Sequence, residues 1–206
     1  MADTVLFDLF GVIARQQSSS GKELLVTTAG VSAPGFWESY WALRMPYDRG
    51  EVTGSEYWRQ VAATLGTTFD EHQIARLIDA DIASWSAVDD DMVALVEQTA
   101  ASGRRVALLS NIPEELAVHY EKHHRWLKHF DTVAFSCRIG HAKPEPQAYR
   151  WCCRALDLAP GRILFVDDRA ENVQAAEAIG MPGHLFIGPG HARQAIAELD
   201  TVPQMQ

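Results

Sequence analysis

Cysteine is scarce: three in 206 residues, Cys137, Cys152 and Cys153, two of them adjacent. An odd count without paired metal-ligand spacing argues against a disulfide framework, so a reducing cytoplasm is the expected setting. Basic residues are the next shortage. Eighteen Lys and Arg stand against 27 Asp and Glu, a formal net charge of −9. A protein that grips the nucleic-acid backbone needs the opposite balance, so nucleic acid is not an expected partner; a few local cations still suffice for a small anion. No apolar run approaches the roughly 20 residues needed to cross a bilayer. Residues 1–4 show neither the basic nor the apolar region of a secretion leader, so no membrane role is expected. Internal repeats and low-complexity tracts are lacking too.

What is present is apolarity in short blocks. Residues 5–7, 106–109, 163–166 and 184–187, with 132–135 as a weaker fifth, are strand-length runs bounded by turn or charged residues. Continuous apolarity means burial on both faces, the habit of a central parallel strand. Residues 91–101, 113–124, 146–156 and 170–179 carry apolar positions at helical spacing, and Gly180 stops the last of them. This alternation predicts βαβ units: an α/β fold with a Rossmann-like parallel sheet.

One stretch breaks the alternation. Residues 15–85 hold helical patterns at 35–48, 55–65 and 70–84 and no strand, and Thr53 with Glu56 forms a capping-box pattern. The expected organisation is an α/β core of residues 1–14 and 86–206 with a helical cap, 15–85, inserted into it. Most of Trp37, Tyr40, Trp41, Tyr47, Tyr57 and Trp58 are expected to form the cap's own core rather than to touch substrate. Residues 16–21, with three serines in a row, read as a flexible patch. Gly188, Pro189 and Gly190 read as a turn, and residues 200–206 as a fraying end. His119 and His123 share a helix face, but no acidic partner of the metalloprotease type lies between them, so a solvated face is expected. Cys152 and Cys153 read as packing residues.

The chemistry lies where the apolar runs end. The first is followed by Asp8, the second by Ser110 and Asn111, the third by Asp167 and Asp168. In a doubly wound sheet, ligands bind outside the carboxyl ends of the strands, at the point where strand order reverses. Asp8 and Asp168, arriving from different strands, repel one another unless a cation lies between them, and hard oxygen ligands open to substrate suit Mg²⁺. Lys143, in a segment stiffened by Pro144 and Pro146, can be aimed at a charge. Ser110 and Asn111 precede Pro113 at a helix start, whose free N–H groups suit a phosphate or carboxylate.

Together these residues resemble the haloacid dehalogenase superfamily. Phe7-Asp8-Leu9-Phe10-Gly11-Val12 is similar to its first motif, Leu108-Leu109-Ser110-Asn111 to its second, and Lys143-Pro144-Glu145-Pro146 to its third. Phe165-Val166-Asp167-Asp168, continuing to Asn172, is similar to its fourth. The fourth motif is closest to sugar-phosphate phosphatases and the phosphatase domain of epoxide hydrolases. The resemblance implies that Asp8 is a nucleophile forming an aspartyl intermediate, with Ser110 and Lys143 holding the transferred group. It implies Mg²⁺ on the Asp8 carboxylate, the Phe10 carbonyl and the Asp168 carboxylate, with Asp167 and Asn172 supporting. The implied substrate is a small phosphorylated metabolite.

The sequence departs from the phosphatase pattern at Phe10, where those enzymes carry an Asp that protonates the leaving alcohol. General acid–base catalysis is worth roughly 10²–10⁴ in rate. The 2-haloacid dehalogenases of the superfamily carry an aromatic residue there, use no metal, and place a cap Arg on the substrate; Arg44 would fill that role or else be a surface or salt-bridged residue of the cap. Their fourth motif, however, has Ser where Asp168 stands and Asp where Asn172 stands. A catalytically degenerate binding protein is the third reading. Arg15, near the cap hinge, is a candidate for the proton-donating group that Phe10 replaces.

Overall fold

The computed structural model describes residues 3–201. Its strands are β1 (Thr4–Phe7), β2 (Arg105–Ser110), β3 (Thr132–Phe135), β4 (Ile163–Asp167) and β5 (Gly183–Leu185). They form one parallel sheet in the order β3-β2-β1-β4-β5. The first strand is therefore central. The chain builds outward through β2 and β3, then returns to β1's other side for β4 and β5. Strand order reverses at β1, which places the ligand crevice at its carboxyl end. Phe7 pairs with Leu108 on one side and Val166 on the other. The next residue of β1's path is Asp8, whose N–H donates to the Val166 carbonyl at 2.9 Å.

Between β1 and β2 lie α1 (Ser19–Ala29), α2 (Ala33–Ala42), α3 (Arg44–Asp48), α4 (Gly54–Thr64), α5 (Glu71–Trp85) and α6 (Asp90–Ala101). Then come α7 (Glu114–His123), α8 (Ser136–Ile139), α9 (Pro146–Leu156), α10 (Ala170–Glu177) and α11 (Pro189–Thr201). The sheet is buried on both faces, as its continuous apolar strands require. Val5, Phe7, Val106, Leu108 and Val166 pack with α6, α7 and α11. Leu6, Ala107, Leu109, Ile163 and Phe165 pack with α9 and α10, where Cys152 and Cys153 are buried. The two sets alternate along each strand because successive side chains point to opposite faces.

Helices α1 to α5 bury an apolar cluster of their own, including Phe36, Tyr40, Tyr47, Tyr57 and Trp58. Thr53 and Glu56 make the expected capping box at the start of α4. Trp85, at the end of α5, packs instead into the cluster that holds α6, α7 and one face of the sheet. Its indole N–H donates to Tyr40 Oη at 3.1 Å, and Tyr120 Oη donates to its carbonyl at 2.6 Å.

Several local expectations are corrected. Residues 16–21 are not a flexible patch: Ser18 accepts from the Gly21 N–H at 3.0 Å and caps α1. Serines read as linker residues are here a helix start. The pattern at 35–48 is two helices, broken at Leu43. Pro46 has no N–H to donate to Ala42, so the first helix cannot run through. The last apolar run ends early: β5 stops at Leu185, and Ile187 is exposed. Gly188 to Gly190 is not merely a turn, because Pro189 opens α11. Of the predicted fraying end, residues 200 and 201 are the last of α11, and residues 202–206 lie outside the described residues.

Candidate active site

Three strands deliver their following residues to one cavity of about 550 Å³ beneath the helical insertion. The floor is Asp8, Asn111, Lys143, Asp168, Arg169 and Asn172; the ceiling is Phe10, Gln16, Trp41, Arg44, Met45, Asp48 and Trp85.

Lys143 is the hub. Its ammonium lies 2.5 Å from Asp8 Oδ1 and 2.7 Å from Asp167 Oδ2, and all three side chains are buried. Asn111 fixes the loop that carries it. Asn111 Nδ2 donates to the Lys143 carbonyl at 2.8 Å, and the Lys143 N–H donates to Asn111 Oδ1 at 2.8 Å. Asn111, expected to touch substrate, lines the cavity and gives both ends of its amide to the Lys143 backbone.

Asp167 is fully satisfied. It accepts from Lys143, from the Arg169 N–H at 2.8 Å, and from Asn172 Nδ2 at 3.0 and 3.1 Å. Burial alone would raise its carboxyl; Lys143 and these donors outweigh burial and hold it below the usual range. Burial likewise works against the Lys143 charge, but Asp8 and Asp167 hold its ammonium above the ordinary value.

Asp8 is different. Its Oδ1 accepts from the Leu9 N–H at 2.6 Å as well as from Lys143. Burial raises its carboxyl well above the usual range; Lys143 opposes this, and Asp167 and Asp168 reinforce it. Asp168 is also raised, first by burial and then by Asp167. The physical cause is a count of charges: three carboxylates share one ammonium.

The donor set fits a divalent cation. Asp8, Asp167 and Asp168 each bring an oxygen within 4.8 Å of the others. Asp168 Oδ1 is buried with no hydrogen-bond partner among the described residues, while its Oδ2 accepts from Gln16 Nε2 at 3.1 Å. Gly11 makes room for it. A Cβ at Gly11 would lie 2.0 Å from Asp168 Oδ2, and Gly11 has φ +88°. The turn after β1 is closed by Ala14 N–H to the Leu9 carbonyl and Gly11 N–H to the Ala14 carbonyl. The Phe10 carbonyl is not used in that turn. Ser110 Oγ, buried at the end of β2, likewise has no partner among the described residues.

Two other expected residues are placed differently. Arg44 lines the cavity, but its Nε is 2.8 Å from Asp48 Oδ1 and its Nη1 is 2.8 Å from Asp81 Oδ2 and 2.6 Å from Tyr40 Oη. Arg15 does not line the cavity; it is exposed and reaches toward Asp89 at 3.7 Å. Phe10 packs against Trp85 and Tyr120, ring centroids 4.9 and 5.8 Å away.

Sequence reading missed Gln16, Trp41, Met45, Asp48, Trp85 and Arg169 as cavity residues. Trp41 was grouped with the cap's core aromatics, yet it is 51% exposed. Its position just before the break between α2 and α3 was the available signal.

The haloacid dehalogenase-like hydrolase family model matches residues 2–180. The chain belongs to that family. It is 28% identical over 138 residues to a sesquiterpene phosphatase of Aspergillus oryzae, covering 66% of this chain and 68% of that one. Mouse bifunctional epoxide hydrolase 2 is 34% identical over 79 residues, 38% of this chain and 14% of the epoxide hydrolase. Among solved structures, a Bacteroides thetaiotaomicron enzyme of the family in complex with magnesium and inorganic phosphate superposes with TM-score 0.74. The identity there is 18%, over 90% of this chain and 94% of that one. An L-2-haloacid dehalogenase superposes with TM-score 0.65 at 22% identity, over 90% and 84%. At such identities the likeness is one of fold. The chain is thus a haloacid dehalogenase-type hydrolase on a parallel α/β fold, and no helix among its described residues is long and apolar enough to cross a membrane.

Proposed function

We propose that this hydrolase is a Mg²⁺-dependent phosphatase acting on a small phosphate monoester through an aspartyl-phosphate on Asp8. The observation that carries the reading is the charge imbalance: Asp8, Asp167 and Asp168 converge on a single ammonium, Lys143. Buried carboxylates are costly to keep ionised without a cation. Asp8, the Phe10 carbonyl and Asp168 would hold Mg²⁺, which supplies charge to neutralise the carboxylates and polarise a phosphoryl oxygen.

The protein's own residues do the rest. A carboxylate oxygen of Asp8 attacks phosphorus, the ester P–O bond breaks, and the departing alkoxide takes a proton from solvent water, which the water attacking in the second step returns. Water then attacks the phosphorus of the acyl phosphate, releasing inorganic phosphate and restoring the Asp8 carboxylate. Lys143 holds Asp8 Oδ1 in place and offsets phosphoryl charge; Ser110 Oγ and the free N–H groups before α7 are the available donors to phosphoryl oxygens. Asn172 keeps Asp167 set against Lys143. Residues 15–85 act as the cap that closes the site from water.

The second reading is metal-free dehalogenation, favoured by Phe10 and by Arg44 in the ceiling. Arg44 is already paired with two carboxylates, and Asp168 leaves a metal-free site with uncompensated charge. Hydrolysis of p-nitrophenyl phosphate with Mg²⁺, lost in EDTA and in Asp8→Asn, is the expected result. Halide release from 2-chloropropionate in EDTA, with no phosphatase activity, would reverse the ranking. Silence in both assays favours the binding-protein reading.

A further inference from the structure

The cavity ceiling carries a chain of apolar rings running from the nucleophile to solvent. Phe10, two residues after Asp8, lies 4.9 Å from Trp85, and Trp85 lies 6.3 Å from Trp41, centroid to centroid. Trp41 and Met45 are 51% and 38% exposed although both line the cavity. Large apolar side chains left open beside a reaction centre mark a surface that a ligand covers.

The donors among them are largely committed. Arg44 spends its Nε on Asp48 and its Nη1 on Asp81 and Tyr40, so this arginine's charge is balanced inside the insertion. Gln16 Nε2 is held by Asp168, and Asn111 by Lys143. A polyhydroxylated alcohol entering here finds few open partners, and each hydroxyl buried without one costs free energy. An apolar alcohol gains by covering the rings.

We infer that the substrate is a phosphate monoester of an apolar, unsaturated or aromatic alcohol, whose hydrocarbon body lies along Phe10, Trp85 and Trp41. This rests on the phosphatase reading above and narrows it away from sugar phosphates. The bonds made and broken are those already given; only the alcohol is specified.

The test compares kcat/KM for 2-naphthyl phosphate and geranyl phosphate with glucose 6-phosphate and glycerol 3-phosphate, with Mg²⁺ present. Acetyl phosphate, whose leaving group is too small to reach Trp41, reports on Asp8 chemistry alone. The apolar esters are expected to exceed the sugar esters by tenfold or more. In Trp41→Ala, the ratio of kcat/KM for 2-naphthyl phosphate to that for acetyl phosphate is expected to fall about tenfold, the effect of losing one ring contact and its buried area. Met45→Gln, which keeps side-chain length, should lower the same ratio in the same direction. Sugar esters turned over as well as apolar ones, or ratios unmoved in both variants, would overturn the inference and leave the phosphatase reading standing. Failure of acetyl phosphate and every ester would sink both.

Discussion

Lys143 decides most of what single residues do here. It is the only ammonium bonded to Asp8 and Asp167 among the described residues. Lys143→Met leaves two buried carboxylates facing each other, and breaking a buried pair costs roughly 3–5 kcal/mol. A lowered urea midpoint together with lost turnover is expected; retention of wild-type stability would show that the pair is not buried in solution. The pH dependence follows from the directions of the shifts. Asp167, held low, stabilises above the ordinary carboxyl value of about 3.9 and loses that contribution as pH falls through its folded value. Lys143, held high, stabilises fully below its ordinary value and loses this as pH rises through the folded one. Asp8, pushed up, has the opposite sign: as a carboxylate it costs stability until a cation arrives. Urea midpoints of wild type should therefore drop more steeply below about pH 4 than those of Asp167→Asn. Phe10 is the residue to gain from. Phe10→Asp places an acid beside Asp8 and is expected to raise turnover up to about 10²-fold, most for poor leaving groups. An unchanged rate across leaving groups would mean that another group already supplies the proton.

At the scale of elements, the insertion is latched to the core by side chains, not by apolar packing alone. Glu115, on α7, accepts from Tyr47 Oη and from the Gly54 N–H, both at 2.9 Å. Arg49 pairs with Glu145 at 2.5 Å, and Ser136 Oγ donates to the Asp48 carbonyl. Glu115→Ala should free the start of α4, seen as faster amide exchange over Gly54–Thr64 while β1 and β4 keep their protection; no change in exchange would remove Glu115 as a latch. These contacts also show why the sequence was only partly legible. Strands buried on both faces announced themselves as apolar blocks, and four loop-end motifs in order pointed to Asp8, Lys143 and Asp168. The seam did not, because Tyr47, Glu115 and Ser136 are ordinary residues whose meaning lies in partners 61 to 88 positions away. Arg44 was chosen for its charge, and nothing local revealed that Asp81, 37 residues on, already balances it. Helix α1 was missed because serine both caps helices and fills linkers.

The whole molecule is a sheet and a helical insertion sharing one crowded site, so binding of the proposed Mg²⁺ there would raise global stability. A ligand present at 100 times its Kd stabilises by about 2.7 kcal/mol. Saturating Mg²⁺ should raise Tm at neutral pH, and Asp168→Asn should abolish most of that rise; equal shifts in both proteins would place the ion elsewhere. The same coupling reaches the helical insertion through Trp85, whose ring packs in the core cluster of β1 and α7 while its N–H donates to Tyr40.

Gly50 fixes how such a scaffold can diversify. With φ +71° and a Cβ that would sit 2.4 Å from the Cys137 carbonyl oxygen, it admits no larger residue where the two lobes meet. Descendants of this chain cannot acquire new chemistry by reshaping that joint. The half-open positions of the cavity, 41 and 45, face no such backbone barrier, and there a changed side chain would alter the cavity wall without moving the joint.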